Sequence, residues 1–340
     1  MNLFIFGSTG DLVKRKVLPA LNKRDLKDLN IFAIGRRDFI DEVYFDFACK
    51  KEDKIKDRIH YFKTEFDKYD ICEECEKGLS KGEINYFYVS LPPNLYLVVF
   101  NKIKKIKEKG YKVSVLVEKP FGNSLKEAKE LSGVLESFDL NKDVLINDHY
   151  LFKEEILQLK KQYFQELKIS FVEKLGLENR ITYYNGVGAL VDMVQSHLLN
   201  ILFKFLSKDE INNLEVVSYE KKQYDGYEKE LGMESQTETF VRIILKTGEK
   251  NIELITGKKF SKKESILLVD NKKMFIEVGD PYIEIFNNFL ENKKENFLKI
   301  ENVFEAWKII EKIKQKENKL TKYDSGIKFS EIEKDLKVKV

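Results

Sequence analysis

Short apolar runs alternate with amphipathic, helix-like stretches over the first 150 residues of this chain. The runs are NLFIF, NIFAIG, NYFYVSL, VSVLVE and DVLIN, and they are rich in Val, Ile and Phe. Most of them do not alternate polar with apolar residues, which is typical of strands buried on both faces of a parallel sheet. Strands that alternate with helices predict a parallel, doubly wound α/β sheet.

Helix signals fill the stretches between these runs. The segment NLYLVVFNKIKKIKEKG places apolar side chains at helical spacing and stops at Gly110, as a helix that ends in glycine does. Ser124 and Glu127 stand in capping-box spacing at the start of SLKEAKELSGVLESF. Both segments are therefore predicted to be helices that connect neighbouring strands.

The pattern changes after about residue 153. GALVDMVQSHLLNILFKFL predicts one long helix with an apolar face, and FVRIILKTG, NIELITG, ESILLVD and KMFIEVG follow one another with turn-like residues between them. That spacing predicts an antiparallel meander. The sequence therefore predicts two domains: residues 1–153, which are α/β, and residues 154–340, which are α+β with a large, mainly antiparallel sheet.

Charge and cysteine content exclude several classes of protein. Lys and Arg number 60 against 57 acidic residues, and a net charge of +3 does not indicate non-specific nucleic-acid binding. The run MNLFIFGS is too short for a signal peptide or membrane helix, so we expect a cytoplasmic protein without a membrane partner. Cys49, Cys72 and Cys75 fit a reducing compartment. Cys72 and Cys75 form a C-x-x-C, but no second ligand pair follows, so we predict no metal site.

A glycine turn follows the first apolar run. Gly7 and Gly10 allow a tight turn, and the start of the next helix offers unpaired N–H groups to a phosphate. The full G-x-G-x-x-G pattern is absent because Ile5 occupies its first position. The turn therefore predicts a dinucleotide site, with a purely structural turn as the alternative.

The second strand ends in two arginines. An NAD site should carry an acidic residue there, which holds the ribose hydroxyls. This chain has Arg36 and Arg37 instead, and such cations pair with a 2′-phosphate. The sequence therefore predicts NADP, while Asp38 leaves NAD use open; the alternative is two ordinary surface arginines.

Two of the three histidines stand in chemically suggestive contexts. His149 directly follows Asp148 and precedes Lys153 by four residues, and His197 ends the segment VDMVQSH. If these segments meet, they supply a base, an orienting carboxylate and an anion-binding cation. The alternative for His197 is a core position, because it shares a helical face with apolar residues.

The segment VSVLVEKPFG ends a strand at the edge where open parallel sheets bind ligands. Lys119 in this segment can bridge cofactor and substrate. Pro120 is expected to fix the turn, with a cis peptide bond as one option.

Together these segments resemble the glucose-6-phosphate dehydrogenase family, almost from end to end. The resemblance rests on GSTGDLVKRK, SLPP, EKPFG, DHYLFKE, YYNGVGALVDMVQSHLLN, SQTETF, ITGKKF and DPYIEIFNNFL…ENVFEAW, in the family's order. DHYLFKE together with DMVQSHLL is specific. The resemblance implies a Rossmann-type NADP-binding domain, followed by an α+β domain that binds substrate and forms a homodimer or homotetramer.

The resemblance also implies a reaction. Glucose 6-phosphate would be oxidised to 6-phosphogluconolactone with NADP, the entry step of the oxidative pentose phosphate pathway. His197 would take the proton of the anomeric hydroxyl, and Asp148 would orient the His197 ring and stabilise its charged form. The residues implied to bind substrate are Lys119, His149, Tyr150, Lys153, Glu173, Asn185, Lys258 and, as a weaker match, Lys263. The residues implied to bind the cofactor are Gly7, Ser8, Thr9, Gly10, Asp11, Leu12, Arg36 and Lys119.

Some positions depart from the family. Members are commonly much longer, and this chain is short between HLLN and SQTETF. Asn185 stands where the family has an aspartate that contacts a sugar hydroxyl, and the lost charge weakens that contact by about 1–2 kcal/mol. Phe152 replaces a glycine, and its ring would narrow the site. These departures keep open the same mechanism on a different sugar phosphate.

Two further interpretations stay open. Enzymes of the glucose–fructose oxidoreductase type share the Rossmann domain and the EKP lysine, but are expected to carry Asp and His one helical turn apart. Here Asp192 and His197 are five residues apart, and Asp192 either supports the site or balances charge on its helix. A non-catalytic NADP-binding relative is disfavoured, because Asp148, His149 and Lys153 are kept together with His197.

Overall fold

The structure is a computed structural model that describes residues 1–24, 28–50, 53–65, 76–140, 142–177, 181–277, 279–316 and 318–336. The chain forms two compact units. The first consists of Met1–Glu154 and Gly279–Val303, and the second of Glu155–Val278 and Phe304–Val340. Within the described ranges, no helix combines the length and the apolar character needed to cross a bilayer.

The strands and helices are numbered here in chain order. The strands are β1 (Asn2–Phe6), β2 (Asn30–Gly35), β3 (Ile59–Lys63), β4 (Ile84–Val89), β5 (Lys112–Val117), β6 (Val144–Ile146), β7 (Glu166–Val172), β8 (Glu215–Tyr224), β9 (Phe240–Thr247), β10 (Lys250–Gly257), β11 (Glu264–Val269), β12 (Lys272–Phe275) and β13 (Thr321–Tyr323). The α-helices are α1 (Leu18–Lys23), α2 (Asp41–Ala48), α3 (Tyr96–Glu108), α4 (Leu125–Ser137), α5 (Glu154–Leu157), α6 (Ile181–Tyr184), α7 (Leu199–Phe203), α8 (Lys208–Asn212), α9 (Tyr227–Leu231), α10 (Pro281–Leu290), α11 (Ile300–Lys314) and α12 (Phe329–Leu336). Val13–Val17 and Leu190–Leu198 are wound as π-helices, and Lys56–Arg58 and Pro93–Leu95 are short 3₁₀ turns.

The first unit is built on a parallel six-stranded sheet in the order β3-β2-β1-β4-β5-β6. Every strand pair in it is parallel, which confirms the predicted doubly wound α/β fold. The strand order reverses direction between β1 and β4, and such a switch point opens a crevice at the carboxyl ends of the strands. Stacked rings of Phe4, Phe32 and Phe87 pack across neighbouring strands, with ring centres 4.6 and 5.0 Å apart.

The segment Gly279–Val303 belongs to the first unit, whereas the sequence analysis assigned it to a second domain that begins at residue 154. Aromatic contacts of α10 explain this placement. Phe286 and Phe289 lie edge-on against Tyr88 and Tyr86 of β4, with ring centres 5.3 and 5.2 Å apart. Each such pair contributes about 0.5–1.5 kcal/mol beyond its buried area, and no local sequence signal reports a contact with a strand so far back in the chain.

The helix predicted to begin at Ser124 is α4. The Ser124 hydroxyl accepts a hydrogen bond from the Glu127 N–H at 3.1 Å, as a capping box requires. The Glu127 carboxylate, however, accepts from the Asn123 N–H at 2.9 Å. The reciprocal half of the box is therefore displaced by one residue, and both donors at the helix start are still satisfied.

The second unit contains a seven-stranded mixed sheet in the order β12-β11-β7-β10-β9-β8-β13. Its hairpins β9–β10 and β11–β12 are antiparallel, and the sheet as a whole is mainly antiparallel, as predicted. The predicted continuous meander is wrong in one place. β7 lies between β10 and β11 and runs parallel to β10, because an apolar strand from earlier in the chain fills the centre of the sheet.

Candidate functional site

The first cofactor candidate is the turn after β1. Gly7 has φ +81°, and a Cβ built on it would lie 2.2 Å from the Ser90 carbonyl oxygen. The Gly10 N–H donates to the Gly7 carbonyl at 2.9 Å, and helical winding begins directly afterwards. The buried Ser8 hydroxyl has no hydrogen-bond partner among the described residues. This cradle fits a dinucleotide phosphate, because backbone N–H groups at a helix start point towards an anion.

Thr9, Asp11 and Leu12 complete the same turn. The Asp11 carboxylate forms an exposed ion pair with Arg15 one turn later, at 2.5 Å. Asp11 therefore has a structural contact of its own, and its predicted role at the cofactor stays a prediction.

The end of β2 carries the residues that would select the cofactor. Arg36 is exposed directly after the strand. Arg37 lies over the Phe47 ring, 4.8 Å from its centre. Asp38, the acidic residue that an NAD site would use, pairs with Lys63 at 2.9 Å. The end of β2 therefore presents two arginines, Arg36 and Arg37, and the carboxylate of Asp38 beside them is paired with a lysine.

Four predicted substrate or catalytic residues follow β6 in the first unit. Asp148 is fully buried, and its Oδ1 accepts a hydrogen bond from the Tyr150 N–H at 3.0 Å. The rings of His149 and Tyr150 lie 4.9 Å apart, and the Lys153 ammonium lies 5.4 Å from the centre of the Tyr150 ring. This turn therefore gathers an imidazole, a phenol and an ammonium, which are donors suited to a phosphate.

Lys119 stands at the same edge of the sheet. β5 and β6 pair in parallel, with Val117 opposite Ile146 as their last partners, so Lys119 and Asp148 each lie two residues beyond a paired position. The Lys119–Pro120 peptide bond is cis. Carboxyl ends of parallel strands form the ligand edge of such a sheet, so the fold of the first unit places Lys119 and the β6 turn together there.

The second unit contains an ionic cluster around a buried lysine. Glu173 and Lys258 follow the parallel neighbours β7 and β10, and the Glu173 N–H donates to the Gly257 carbonyl at 2.8 Å. The Lys258 ammonium, only 3% exposed, donates to the Glu173 carboxylate and lies 3.4 Å from the Asp192 carboxylate. An ammonium between two carboxylates offers both donors and acceptors to the hydroxyls of a sugar.

Tyr184 is a member of this cluster that the sequence analysis did not single out. The Lys258 ammonium lies 5.7 Å from the centre of its ring. Within the described part of the chain, the buried Tyr184 hydroxyl has no hydrogen-bond partner. Burial, reinforced by the charges of Asp192 and Glu238, raises the pKa of this phenol well above its ordinary value. Tyr184 is therefore a neutral donor, and its place in the YYNGVG motif was the available signal.

His197 lies on the π-helix Leu190–Leu198, in which the Leu199 N–H donates to the Val194 carbonyl. Hydrogen bonds of a π-helix join residues five apart, so Asp192 and His197 stand one turn apart. On an α-helix, residues of one face are three or four apart. The five-residue spacing therefore does not argue against the glucose–fructose oxidoreductase type, contrary to the sequence analysis.

The side chain of Asn185 is hydrogen-bonded to other residues of the second unit. Its Oδ1 accepts hydrogen bonds from the hydroxyls of Ser235, Thr237 and Tyr227 at 2.5, 3.1 and 3.2 Å. Asn185 is half-buried, and these three donors occupy the acceptor positions of its side-chain oxygen. Its predicted contact with a sugar stays a prediction.

Phe152 and Lys263 were also singled out in the sequence. The Phe152 ring is buried in the first unit, 4.8 Å from the Phe297 ring, so it fills the core there. Lys263 is exposed in the turn before β11.

Of the three cysteines, Cys72 and Cys75 lie outside the described residues. Cys49 is half-buried, and its burial raises the pKa of the thiol to about 11. The Cys49 thiol therefore stays protonated at neutral pH and is a poor nucleophile.

Two family models match this chain. The glucose-6-phosphate dehydrogenase NAD binding domain matches residues 4–158, and the C-terminal domain of the same enzyme matches residues 152–212. The chain belongs to the glucose-6-phosphate dehydrogenase family. This membership confirms the resemblance, decides against the glucose–fructose oxidoreductase type, and indicates a nicotinamide dinucleotide as the class of cofactor.

Individual members of the glucose-6-phosphate dehydrogenase family show how much is shared. The chain is 30% identical to glucose-6-phosphate 1-dehydrogenase of Helicobacter pylori, over 71% of this chain and 68% of that protein. It is 30% identical to the Buchnera aphidicola enzyme over 63% of this chain, but spans only 50% of that protein. The crystal structure of the Mycobacterium avium enzyme has a TM-score of 0.80 at 20% identity, covering 96% of this chain and 94% of the other. At that identity the likeness shows the fold.

Proposed function

We propose that this protein oxidises the anomeric hydroxyl of glucose 6-phosphate with NADP and yields 6-phosphogluconolactone, as the entry step of the oxidative pentose phosphate pathway in the cytoplasm. The observation that carries the proposal is the family match over residues 4–212. It spans the cofactor turn, the β6 turn and the helix of His197. A homodimer or homotetramer is part of the same proposal.

His197 acts as the general base in this mechanism and accepts the proton of the sugar's anomeric hydroxyl. A bound oxidised nicotinamide would be the hydride acceptor. Asp148 has the role of orienting the His197 ring and stabilising the imidazolium that forms. The burial of Asp148 supports this role, since a buried carboxylate interacts strongly with a nearby cation.

Substrate recognition divides between phosphate and sugar. His149, Tyr150 and Lys153 bind the phosphate, because their donors stand in one turn. The remaining sugar contacts fall to Lys119 and to the cluster of Glu173, Lys258 and Asp192. The 3.4 Å distance between the Lys258 ammonium and the Asp192 carboxylate supports the inclusion of Asp192. Asn185 and Lys263 keep their predicted roles as weaker candidates.

The residues of the β1 turn and Arg36 hold the cofactor. The turn from Gly7 to Leu12 takes the pyrophosphate, and Arg36 pairs with the 2′-phosphate that distinguishes NADP from NAD. The ion pair of Asp38 with Lys63 supports this preference, because Lys63 engages the carboxylate that could otherwise hold the ribose hydroxyls.

Initial rates of reduced-cofactor formation test the proposal. The purified protein receives glucose 6-phosphate with NADP or with NAD, then other sugar phosphates and unphosphorylated glucose. We expect turnover of glucose 6-phosphate, preference for NADP, and a loss of that preference in Arg36→Ala. Turnover of another sugar phosphate alone would replace the substrate and keep the mechanism; no turnover of any of them would contradict the proposal.

A further inference from the structure

The carboxyl group of Glu118 is buried at the carboxyl end of β5, directly before Lys119. Its Oε1 accepts three hydrogen bonds: from the Tyr88 hydroxyl at 2.7 Å, the Asn147 amide at 2.8 Å and the Tyr282 hydroxyl at 3.3 Å. The backbone carbonyl of Glu118 accepts a fourth, from the Tyr96 hydroxyl at 2.5 Å. All of these residues belong to the first unit.

These partners come from the segments that carry the substrate residues. Asn147 directly precedes Asp148 and His149, so its amide fixes the start of the β6 turn. Tyr282 lies in the first turn of α10, and its ring is nearly parallel to the His149 ring, at 6.3 Å and 22°. One carboxylate oxygen therefore connects the segment of Lys119, the segment of His149, and the ring that packs on His149.

Burial of a carboxylate is costly unless hydrogen bonds compensate it. Burial is the largest influence on Glu118 and raises its pKa, against its three hydrogen bonds. The same burial raises the pKa of Tyr88 and Tyr282, so both phenols stay protonated and can only keep donating to Glu118. A buried polar network whose members are all hydrogen-bonded makes the segments that it joins rigid.

We propose that Glu118 is a positioning residue that sets Lys119 and His149 for the sugar phosphate. The inference rests on the proposed function. Glu118 itself touches no substrate; it fixes the backbone of two neighbouring strand ends and the aromatic ring against the phosphate-binding imidazole. Misplacement of binding groups by about 1 Å costs up to about 100-fold in rate, so the network is expected to be felt in catalysis.

Steady-state kinetics of matched variants test the proposal. Glu118→Leu keeps roughly the same volume and removes all three hydrogen bonds. We expect the KM for glucose 6-phosphate to rise about tenfold or more, with a smaller rise in the KM for NADP, because Lys119 is also a proposed cofactor residue. Glu118→Gln keeps an acceptor oxygen and should restore most of the affinity. Tyr282→Phe keeps the ring but loses its hydrogen bond to Glu118, and it should raise the KM by an intermediate amount. It replaces Glu118→Leu as the test if that variant does not fold.

Asn85→Leu is the matched control. Asn85 is also buried on β4, donates to the Ser80 and Lys112 carbonyls at 2.8 and 3.1 Å, and lies at the amino end of the sheet. It should lose stability without a change in KM. An unchanged KM in both Glu118→Leu and Tyr282→Phe, or an equal rise in Asn85→Leu, would overturn the proposal.

A second readout separates this inference from the proposed function. The chain has three histidines, so the imidazole NMR signal of His149 can be assigned with His149→Gln. Displacement of this signal in Glu118→Leu and Tyr282→Phe, but not in Asn85→Leu, supports positioning even if the wild type does not turn over glucose 6-phosphate. An unmoved signal in an active enzyme would refute positioning and leave the proposed function standing.

Discussion

The proposed mechanism assigns the abstraction of the substrate proton to His197. If it is the base, His197→Gln should lower kcat by about two to four orders of magnitude, the usual contribution of general base catalysis. KM for glucose 6-phosphate should change little, because the imidazole acts mainly in the transition state. Initial rates at saturating NADP measure both constants.

The third histidine supplies the control. His60 is exposed on β3 and lies 3.9 Å from the Asp41 carboxylate, in a strand that carries no candidate residue. His60→Gln should keep wild-type kcat. Equal kcat in His197→Gln and the wild type would remove His197 from the mechanism.

Sequence patterns identified the candidate residues, whose roles stay predictions, but did not identify several of their partners. His149 and Lys153 were found because their residue types are rare or clustered in DHYLFKE, and the structure places them in one turn. Asp192 was left undecided, since α-helical geometry separates residues five apart. Its link to Lys258 and its register with His197 depend on π-winding, which no propensity of the single residues encodes.

The start of the π-helix depends on one glycine. Gly188 has φ +68°, and a Cβ there would lie 2.3 Å from Oε1 of Glu238, the atom that accepts the Leu190 N–H at 3.0 Å. Gly188→Ala should therefore cost at least about 1 kcal/mol for the backbone conformation, and about 1–3 kcal/mol more for the collision. It should also lower kcat, because the helix carries His197. Urea unfolding and initial rates measure the two effects.

Gly110→Ala is the control that separates the cost of the backbone conformation from the cost of the steric collision. Gly110 has a comparable φ of +87°, but nothing lies within 4 Å of its Cβ position. This variant should lose only the backbone contribution and keep full activity. Similar losses of stability and activity in the two variants would contradict the proposed role of Glu238 at the helix start.

The short helix α8 should give the protein an acid-sensitive contribution to stability. Glu210 pairs with Lys250 and completes a capping box with Ser207, and these bonds lower the pKa of its carboxyl from 4.5 to about 2. A carboxyl group whose pKa is lower in the folded than in the unfolded state stabilises the folded state at pH values above its unfolded-state pKa. This contribution to stability is lost as the pH falls through the folded-state pKa. Glu210→Gln should thus cost about 1 kcal/mol at pH 7, and the difference should shrink between pH about 4.5 and about 2. Urea unfolding of both proteins across this range measures it.

Glu311→Gln removes an equal charge from the exposed face of α11 and controls for net charge. It should leave the free energy of unfolding nearly unchanged at every pH. A Glu210→Gln difference that stayed constant down to pH about 2 would rule out the carboxylate as its cause.

Three of the strands that the sequence pattern missed lie at or next to a sheet edge. β13 is the edge strand of the second sheet and β8 lies next to it, both with mostly exposed or half-buried residues, and β3 is an edge strand of the first. Edge strands face solvent on part of their surface and carry charged residues, so a search for apolar runs passes over them. β7 is buried, but its central position is set by pairing with β10, whose partner residues lie 85 positions later in the chain (Asn251 opposite Glu166), and a local pattern does not contain this pairing.

On the scale of the entire chain, the proposed reaction draws on both units. The residues proposed to bind the cofactor and the phosphate belong to the first unit, whereas His197 and the Glu173–Lys258–Asp192 cluster belong to the second. A ligand that binds only the folded state stabilises the parts it engages. Hydrogen exchange with and without ligands can therefore assign each ligand to its unit without relying on turnover.

NADP alone should slow exchange at the β1 turn and the end of β2, because its proposed contacts lie there. Glucose 6-phosphate should slow exchange both in the β6 turn and along Leu190–Leu198, since its phosphate and its sugar are assigned to different units. Lys153→Ala should weaken both effects of the sugar phosphate together and leave the effect of NADP intact. Protection by glucose 6-phosphate that stayed within the first unit would contradict the assignment of the sugar to Lys258 and of the base to His197, while the phosphate site at Lys153 would stand.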